Sequence, residues 1–192
     1  MALALTERYR YTYRDYLHTP DDGTRWEIVD GVPYMMAAPN TRHQTISMKL
    51  SGRLFNFLDG KRCRVFHAPF DVRLSLYNEK DEDATNVVQP DIVVYCNDLG
   101  TDEKGGRTAP DIAIEILSPS SLEMDKIRKF KLYEQAGVKE YWIVDAQNEY
   151  VEIYIHDGER FSPMFHYDKD EPTITSTILE GFKITTDDIF EQ

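Results

Sequence analysis

Two segments of the chain open alike, Pro90-Asp91-Ile92 and Pro110-Asp111-Ile112, and each runs into an apolar stretch of strand length. A Gly-containing loop over 97–110 separates them, so 91–96 and 111–117 are expected to pair as an antiparallel hairpin. The second strand, "DIAIEIL", carries Glu115 inside a run that reads as buried on both faces. A lone buried carboxylate is costly, so Glu115 should be paired, protonated or metal-bound. An ion pair with an arginine, or an exposed face of an edge strand, would also accommodate it.

Spacing separates the two aspartates. If Cys96 lies near Asp111, Asp91 falls opposite Ile116, next to Glu115. Asp111 lies on the same strand as Glu115, roughly 13 Å away at the usual rise. Two oxygens on one Mg²⁺ must each come within about 2.1 Å of it. Asp91 and Glu115 are therefore the pair that could share an ion, and Asp111 reads as turn chemistry. A slip of one residue would turn the two side chains to opposite faces.

The rest of the chain supplies a frame. "YTYRDYLH" reads as a short helix with Thr12 as N-cap and Asp15 closing a capping box. "RWEIVDGVPYMMAAP" reads as a hairpin turning at Asp30-Gly31. Ile46, Leu50, Leu54 and Leu58 recur every fourth residue, which predicts an amphipathic helix over 40–59 capped by Asn40 or Thr41. "VFHAPFDVRLSLY" alternates and predicts one long half-buried strand, with His67, Asp71 and Arg73 on the opposite parity from its apolar residues. Residues 122–136 predict a helix after Ser118-Pro119-Ser120-Ser121, with Ile127, Phe130 and Tyr133 on one side and Gly137 as its stop. "KEYWIVD" predicts a strand, and "YVEIYIHDGERF" a second hairpin about Asp157-Gly158. A short closing segment follows in "STILEGFKITTDDIF". This order predicts an α/β or α+β fold, one mixed sheet flanked by helices with added antiparallel hairpins, in a single domain over 1–192.

The helix after Ser118 holds the most basic patch of an acidic chain: Lys126, Arg128, Lys129 and Lys131, against a net charge of −12. Asp125, Lys129 and Tyr133 fall on one i,i+4 stripe. The patch is either a solvated helix face or a source of a lysine that reaches back over the sheet. The acidity argues against a large nonspecific grip on nucleic acid, and fits simple solubility equally well. No stretch is apolar enough to span a membrane, and the N-terminus turns charged too soon for a signal peptide. Cys63 and Cys96 are expected to be ordinary thiols in a reducing, cytoplasmic setting. No HExxH, CxxC pair, nucleophile elbow or glycine-rich phosphate loop occurs.

The pieces "WEIVDG", "MMAAP", "RHQ", "QPDIVV", "IEILSPSS", Asp125-x-x-x-Lys129-x-x-x-Tyr133, "AGVKEYWIVD" and "LEGFKITTDDIF" together resemble the Uma (Uma-two) family of restriction endonucleases, within the PD-(D/E)XK nuclease superfamily. The resemblance runs from about Thr12 to Phe190. It implies a restriction-endonuclease-like core with its acidic pair at Asp91 and Glu115. The superfamily's lysine, two residues after the glutamate, is here Leu117, and the resemblance implies that Lys129 takes its place. Glu27 and His43 also match family positions, Glu27 as an additional metal or water ligand and His43 as an active or a merely packing histidine.

The function expected is metal-dependent hydrolysis of phosphodiester bonds. Asp91 and Glu115 would hold Mg²⁺ or Mn²⁺, Lys129 would act on the water or on developing charge, and Arg128 and Lys131 would position phosphates. Nucleic acid, with DNA foremost, is the expected partner. The rival readings are a weak or inactive nuclease fold serving as a binding or assembly module, such as a homodimer, and a phosphoesterase for smaller substrates.

Overall fold

The computed structural model describes residues 9–19, 23–77 and 79–191. The apolar start of the chain weighed as a signal peptide, residues 1–8, and Asn78 of the charged loop lie outside the described residues. In chain order the elements are α1 (Tyr13–Leu17), β1 (Trp26–Val29), β2 (Val32–Met35), α2 (Thr41–Leu58), β3 (Arg64–His67), β4 (Val72–Arg73), β5 (Val87–Val88), β6 (Ile92–Tyr95), β7 (Thr101–Asp102), β8 (Gly105–Gly106) and β9 (Ile112–Leu117). A π-helical segment (Met124–Lys129) then continues into α3 (Phe130–Ala136), followed by β10 (Glu140–Asp145), β11 (Tyr150–His156), β12 (Phe161–Tyr167), β13 (Thr173–Thr175), β14 (Lys183–Thr185) and α4 (Thr186–Phe190).

The strands form two mixed sheets and a small ribbon, where the sequence predicted one mixed sheet. The first sheet runs β12-β11-β10-β9-β6-β3, the second β2-β1-β5-β4-β8-β7, and β13 pairs with β14. The long strand expected over 66–76 is cut in two. Pro69 offers no N–H to a ladder, and the chain leaves the first sheet after β3 to enter the second at β4. Pro33 and Pro163 sit in the edge strands β2 and β12, where a missing donor discourages further strand addition.

The centre of the first sheet is the parallel pair β9–β10, every residue of which is buried. Strand alternation sends its side chains to two cores. Ile92, Val94, Ile112, Ile114, Ile116, Trp142 and Val144 pack with α2 and α4. Val93, Tyr95, Ala113, Leu117, Tyr141 and Ile143 pack instead with Val29, Val72 and Val88 of the second sheet and with Tyr133 of α3. On α2 the stripe Ile46, Leu50, Leu54 and Leu58 is buried as its spacing requires, and Asn40 caps it by accepting the His43 N–H at 2.9 Å. The α1 capping box and the Asp30-Gly31 turn, with positive φ at both residues, form as expected.

Two polar clasps hold the periphery. Arg73 is fully buried and bonds Asp81 and Asp102 at 2.9 and 2.6 Å, tying the turn at 81–83 and β7 to β4. Glu140, also fully buried, takes bonds from Trp142, Ser176, Thr177 and Ile178, fixing the closing segment on β10.

The expectation of free thiols is corrected: Cys63 and Cys96 form a disulfide. The β3–β6 register sets Arg64 opposite Tyr95, so the next pair outward is Cys63 and Cys96. Thirty-two intervening positions hid that proximity in the sequence, because it depends on β3 pairing with β6.

Candidate active site

The hairpin register also differs by one residue from the sequence expectation, and the difference favours the acidic pair. Ile92, Val93 and Val94 face Ile114, Ala113 and Ile112. Continued outward, this register sets Asp91 opposite Glu115 rather than Ile116. Cys96 does lie beside Asp111, but its N–H bonds the Asp111 side chain at 2.6 Å, while the Asp111 N–H bonds the Val94 carbonyl at 2.9 Å. A carboxylate thus stands in for a main-chain acceptor, and the ladder begins one residue out of step. Asp91 and Glu115 now share a face with Val93, Ala113 and Leu117, the face turned toward the second sheet.

Lys129 stands at the junction. Its Nζ lies 2.9 Å from Glu115 Oε1, 2.8 Å from Glu27 Oε1 and 3.7 Å from Asp125 Oδ1. Glu115 comes from the first sheet, Glu27 from β1 of the second, and Asp125 from the π-helical segment. One ammonium therefore joins all three layers. Glu115 Oε1 also accepts the Tyr133 hydroxyl at 2.7 Å, and Glu27 Oε1 accepts the Gln89 N–H at 2.6 Å. Asp91 Oδ2 accepts the Ile116 N–H at 2.8 Å and faces His43 Nε2 at 3.1 Å.

The wide π turn explains why the predicted helix face is wrong at its start. Ile127, expected inward with Phe130 and Tyr133, is 52% exposed, whereas Asp125 and Lys129 are buried. An extra residue per turn rotates the polar pair into the site, a recurrent use of π-helical segments. Of the proposed phosphate contacts, Arg128 lies over the Tyr34 ring and pairs with Glu123 at the rim. Lys131 is exposed on α3 and does not line the cleft. Asp111 is held by Lys139 at the far end of β9.

Electrostatics here are unbalanced. Four carboxylates, Glu27, Asp91, Glu115 and Asp125, meet one ammonium. Burial pushes the Glu115 carboxyl well above its ordinary range; Lys129 opposes this, and Asp125, Asp91 and Glu27 add to it. Burial likewise lifts Asp125 to about 6, against Lys129 and a Ser121 hydrogen bond. Desolvation works against the Lys129 charge, but Glu115, Glu27 and Asp125 outweigh it and hold the ammonium firmly protonated. His43 is lifted too: burial opposes its charge, and the Asp91 contact overcomes that.

This donor set suits a hard cation. Among the described residues, the bonds to Glu115 end on Oε1 and those to Asp91 end on Oδ2, so each keeps a second oxygen free. Excess negative charge, here met partly by retained protons, is what a divalent ion would neutralise. No group of three or more His, Cys, Asp or Glu side chains among the described residues is arranged around one ion position. A Mg²⁺ site of one or two carboxylates completed by water and substrate phosphate needs no such cage.

The carboxylates floor a cleft of about 520 Å³. Its sides are α2, the strand and segment from Tyr34 to Pro39, and the Ser118–Ser121 turn. Sequence reasoning set Asp125 and Tyr133 on one stripe with Lys129 but gave neither a role in the site. It also missed Gln89, whose side chain joins Arg25, Tyr16 and Asp71.

Comparison with known proteins bears on this arrangement. Residues 13–187 match the sequence model of a family, Uma2, described as "Putative restriction endonuclease". An uncharacterized protein of Synechocystis sp. is 27% identical over 145 residues, which is 71% of this chain and 73% of that protein. A crystal structure from Anabaena variabilis, described as "a putative nuclease belonging to DUF820", superposes with a TM-score of 0.75 at 18% identity, over 93% of this chain and 97% of that one. At that identity the likeness is one of fold.

Proposed function

The chain belongs to the Uma2 family, and from that premise we propose that its cleft hydrolyses phosphodiester bonds, in DNA, with Mg²⁺ or Mn²⁺ held by Asp91 and Glu115. The observation that carries the reading is the pairing of these two carboxylates across β6 and β9, each with one oxygen left free. The chemistry that such an ion supplies is polarisation of a phosphoryl oxygen and a lowered pKa for bound water.

The chain's own groups do the rest. The Ile116 N–H and His43 fix Asp91 through Oδ2, so that Oδ1 has one orientation. Tyr133 and Lys129 fix Glu115 in the same way through Oε1. Lys129 carries the positive charge that offsets charge growing on the phosphate in the transition state. Glu27 holds Lys129 from the second sheet, and Asp125 holds it from its own helical turn. Arg128, at the rim beside Tyr34, would have to exchange its exposed Glu123 partner to meet a flanking phosphate. The disulfide removes the thiol argument for a reducing, cytoplasmic setting. Among the described residues, no helix is long and apolar enough to cross a membrane.

The test is DNA cleavage under Mn²⁺ by the wild type and by Asp91→Asn, Glu115→Gln and Lys129→Ala. Each substitution should cut the rate by a hundredfold or more, on the order of the loss when one transition-state group is removed. Calorimetry with Mn²⁺ runs beside it. Binding that is indifferent to both Asp91→Asn and Glu115→Gln would remove the basis of the reading and leave a binding module in its place.

A further inference from the structure

Above the carboxylates the cleft walls carry a band of large apolar side chains among neutral polar ones such as Asn40, Gln44 and Ser47, where a duplex-gripping cleft would be cationic. Tyr34, Met35 and Met36 line one side and Met48 of α2 lines another. Met35 is 80% exposed and Met48 71% exposed. Large apolar side chains left bare together at a cleft mouth mark a surface meant for a ligand.

The nearby cations are already engaged. Arg25 gives two N–H groups to Gln89 Oε1. Arg128 pairs with Glu123, and Lys129 is enclosed by carboxylates. The chain as a whole carries −12. Holding a duplex at working salt requires neutralising several phosphates at once, and this rim has little free charge for that.

A duplex also offers the wrong surface to these walls. It presents phosphates, sugars and base edges, and hides the base faces in the stack. An unpaired strand exposes those faces. Aromatic side chains stack on any base without reading sequence, and thioethers adapt their shape and polarizable sulfur to flat π surfaces. A volume of about 520 Å³ lies in the range that encloses a small organic molecule, which fits a nucleotide or two.

We propose that the cleft takes an unpaired segment of nucleic acid, a single strand or the flap of a duplex, with a base against Tyr34, Met35 and Met48 and its phosphate over Asp91 and Glu115. This rests on the nuclease reading above and specifies its substrate. The methionine walls set the preference for strandedness, and the carboxylates carry the chemistry.

The experiment is fluorescence anisotropy in EDTA, where no divalent ion is free to support cutting. The probes are a labelled single strand of about 15 nucleotides, long enough for a single-strand site, the blunt duplex of the same sequence, and that duplex with a short 3′ flap. The single strand and the flapped duplex should bind at least about tenfold more tightly than the blunt duplex. Met35→Ala/Met48→Ala should weaken single-strand binding about tenfold, within the range for loss of two thioether–ring contacts, and leave the duplex nearly unchanged. Both positions are exposed, and circular dichroism with a melting curve checks that the double variant folds. Equal or tighter binding of the blunt duplex, or a preference that survives the double substitution, would overturn the proposal. The same probes incubated with wild type and Mn²⁺ read the parent reading separately. Cutting without strand preference counts against the single-strand proposal alone. Strand-selective binding with no cutting of any probe counts against the nuclease alone.

Discussion

Lys129 Nζ lies 2.9 Å from Glu115 Oε1, and both side chains are almost wholly buried. The ammonium arrives from the helix that follows β9, while the strand position two residues beyond the glutamate is Leu117, packed in the core between the sheets. Lys129→Met should therefore do more than impair chemistry. It leaves Glu115, Glu27 and Asp125 buried without their counter-charge, and breaking a buried pair from one side costs about 3–5 kcal/mol. Urea unfolding at pH 7 should show that loss. At pH 5 the loss should shrink, because Glu115 and Asp125, whose carboxyls burial already pushes up, can then take up protons.

Asp125 gives the wild type a pH dependence of defined sign. Its carboxyl is lifted from 3.8 to about 6, chiefly by burial. Below the lower value both folded and unfolded states are protonated and nothing is lost. As pH rises from about 4 to about 6, the unfolded chain releases this proton and the folded one keeps it. Stability therefore falls across that window and levels off above it. A shift of this size corresponds to about 3 kcal/mol as an upper figure. Asp125→Asn should abolish this component, so that the variant gains on the wild type between pH 4 and pH 6 in parallel urea titrations. A constant difference between the two over that range would contradict the assignment.

Much of this was legible from local pattern. The fourfold period of Ile46 to Leu58 reports burial against one sheet face, and the Asp30-Gly31 and Asp157-Gly158 turns report hairpins, because helix period and turn chemistry are local properties. That Asp91 lies beside Glu115 and Asp111 does not was legible because strand length alone separates Asp111 from Glu115. The register of the pair was not, since that is set by the Asp111 side chain accepting the Cys96 N–H, a tertiary bond with no sequence signature. The second sheet was hidden because its β4, β5, β7 and β8 are two residues each. Strands that short show no period. The inward turn of Asp125 came from a π-helical geometry that an i,i+4 reading treats as ordinary helix.

The disulfide makes a prediction of its own. It closes a loop spanning 33 residues between Cys63 and Cys96. Such a cross-link contributes about 2–4 kcal/mol, mainly by restricting the unfolded chain. Dithiothreitol should lower the melting temperature of the wild type. Cys63→Ser should start from that lower value and show no further response to the reductant. A wild type whose melting is indifferent to dithiothreitol would mean that the bond contributes nothing measurable.

Asp111 offers the sharpest separation of stability from chemistry, since it opens its strand as Asp91 does yet touches none of the cluster. Its carboxylate accepts the Cys96 N–H and pairs with Lys139, whose side chain is 60% exposed. An ion pair that exposed contributes about 0–1 kcal/mol, and asparagine keeps an acceptor for the Cys96 N–H. Asp111→Asn should thus lose about 1 kcal/mol or less and cut nucleic acid much as the wild type does. Asp111→Ala strands the Cys96 N–H as well, which adds about 1–3 kcal/mol. Urea unfolding and Mn²⁺-dependent cleavage of the three proteins should rank them in that order for stability and leave them close together in rate. Loss of cleavage in Asp111→Asn to the level of Asp91→Asn would move the reacting centre to the other end of β9.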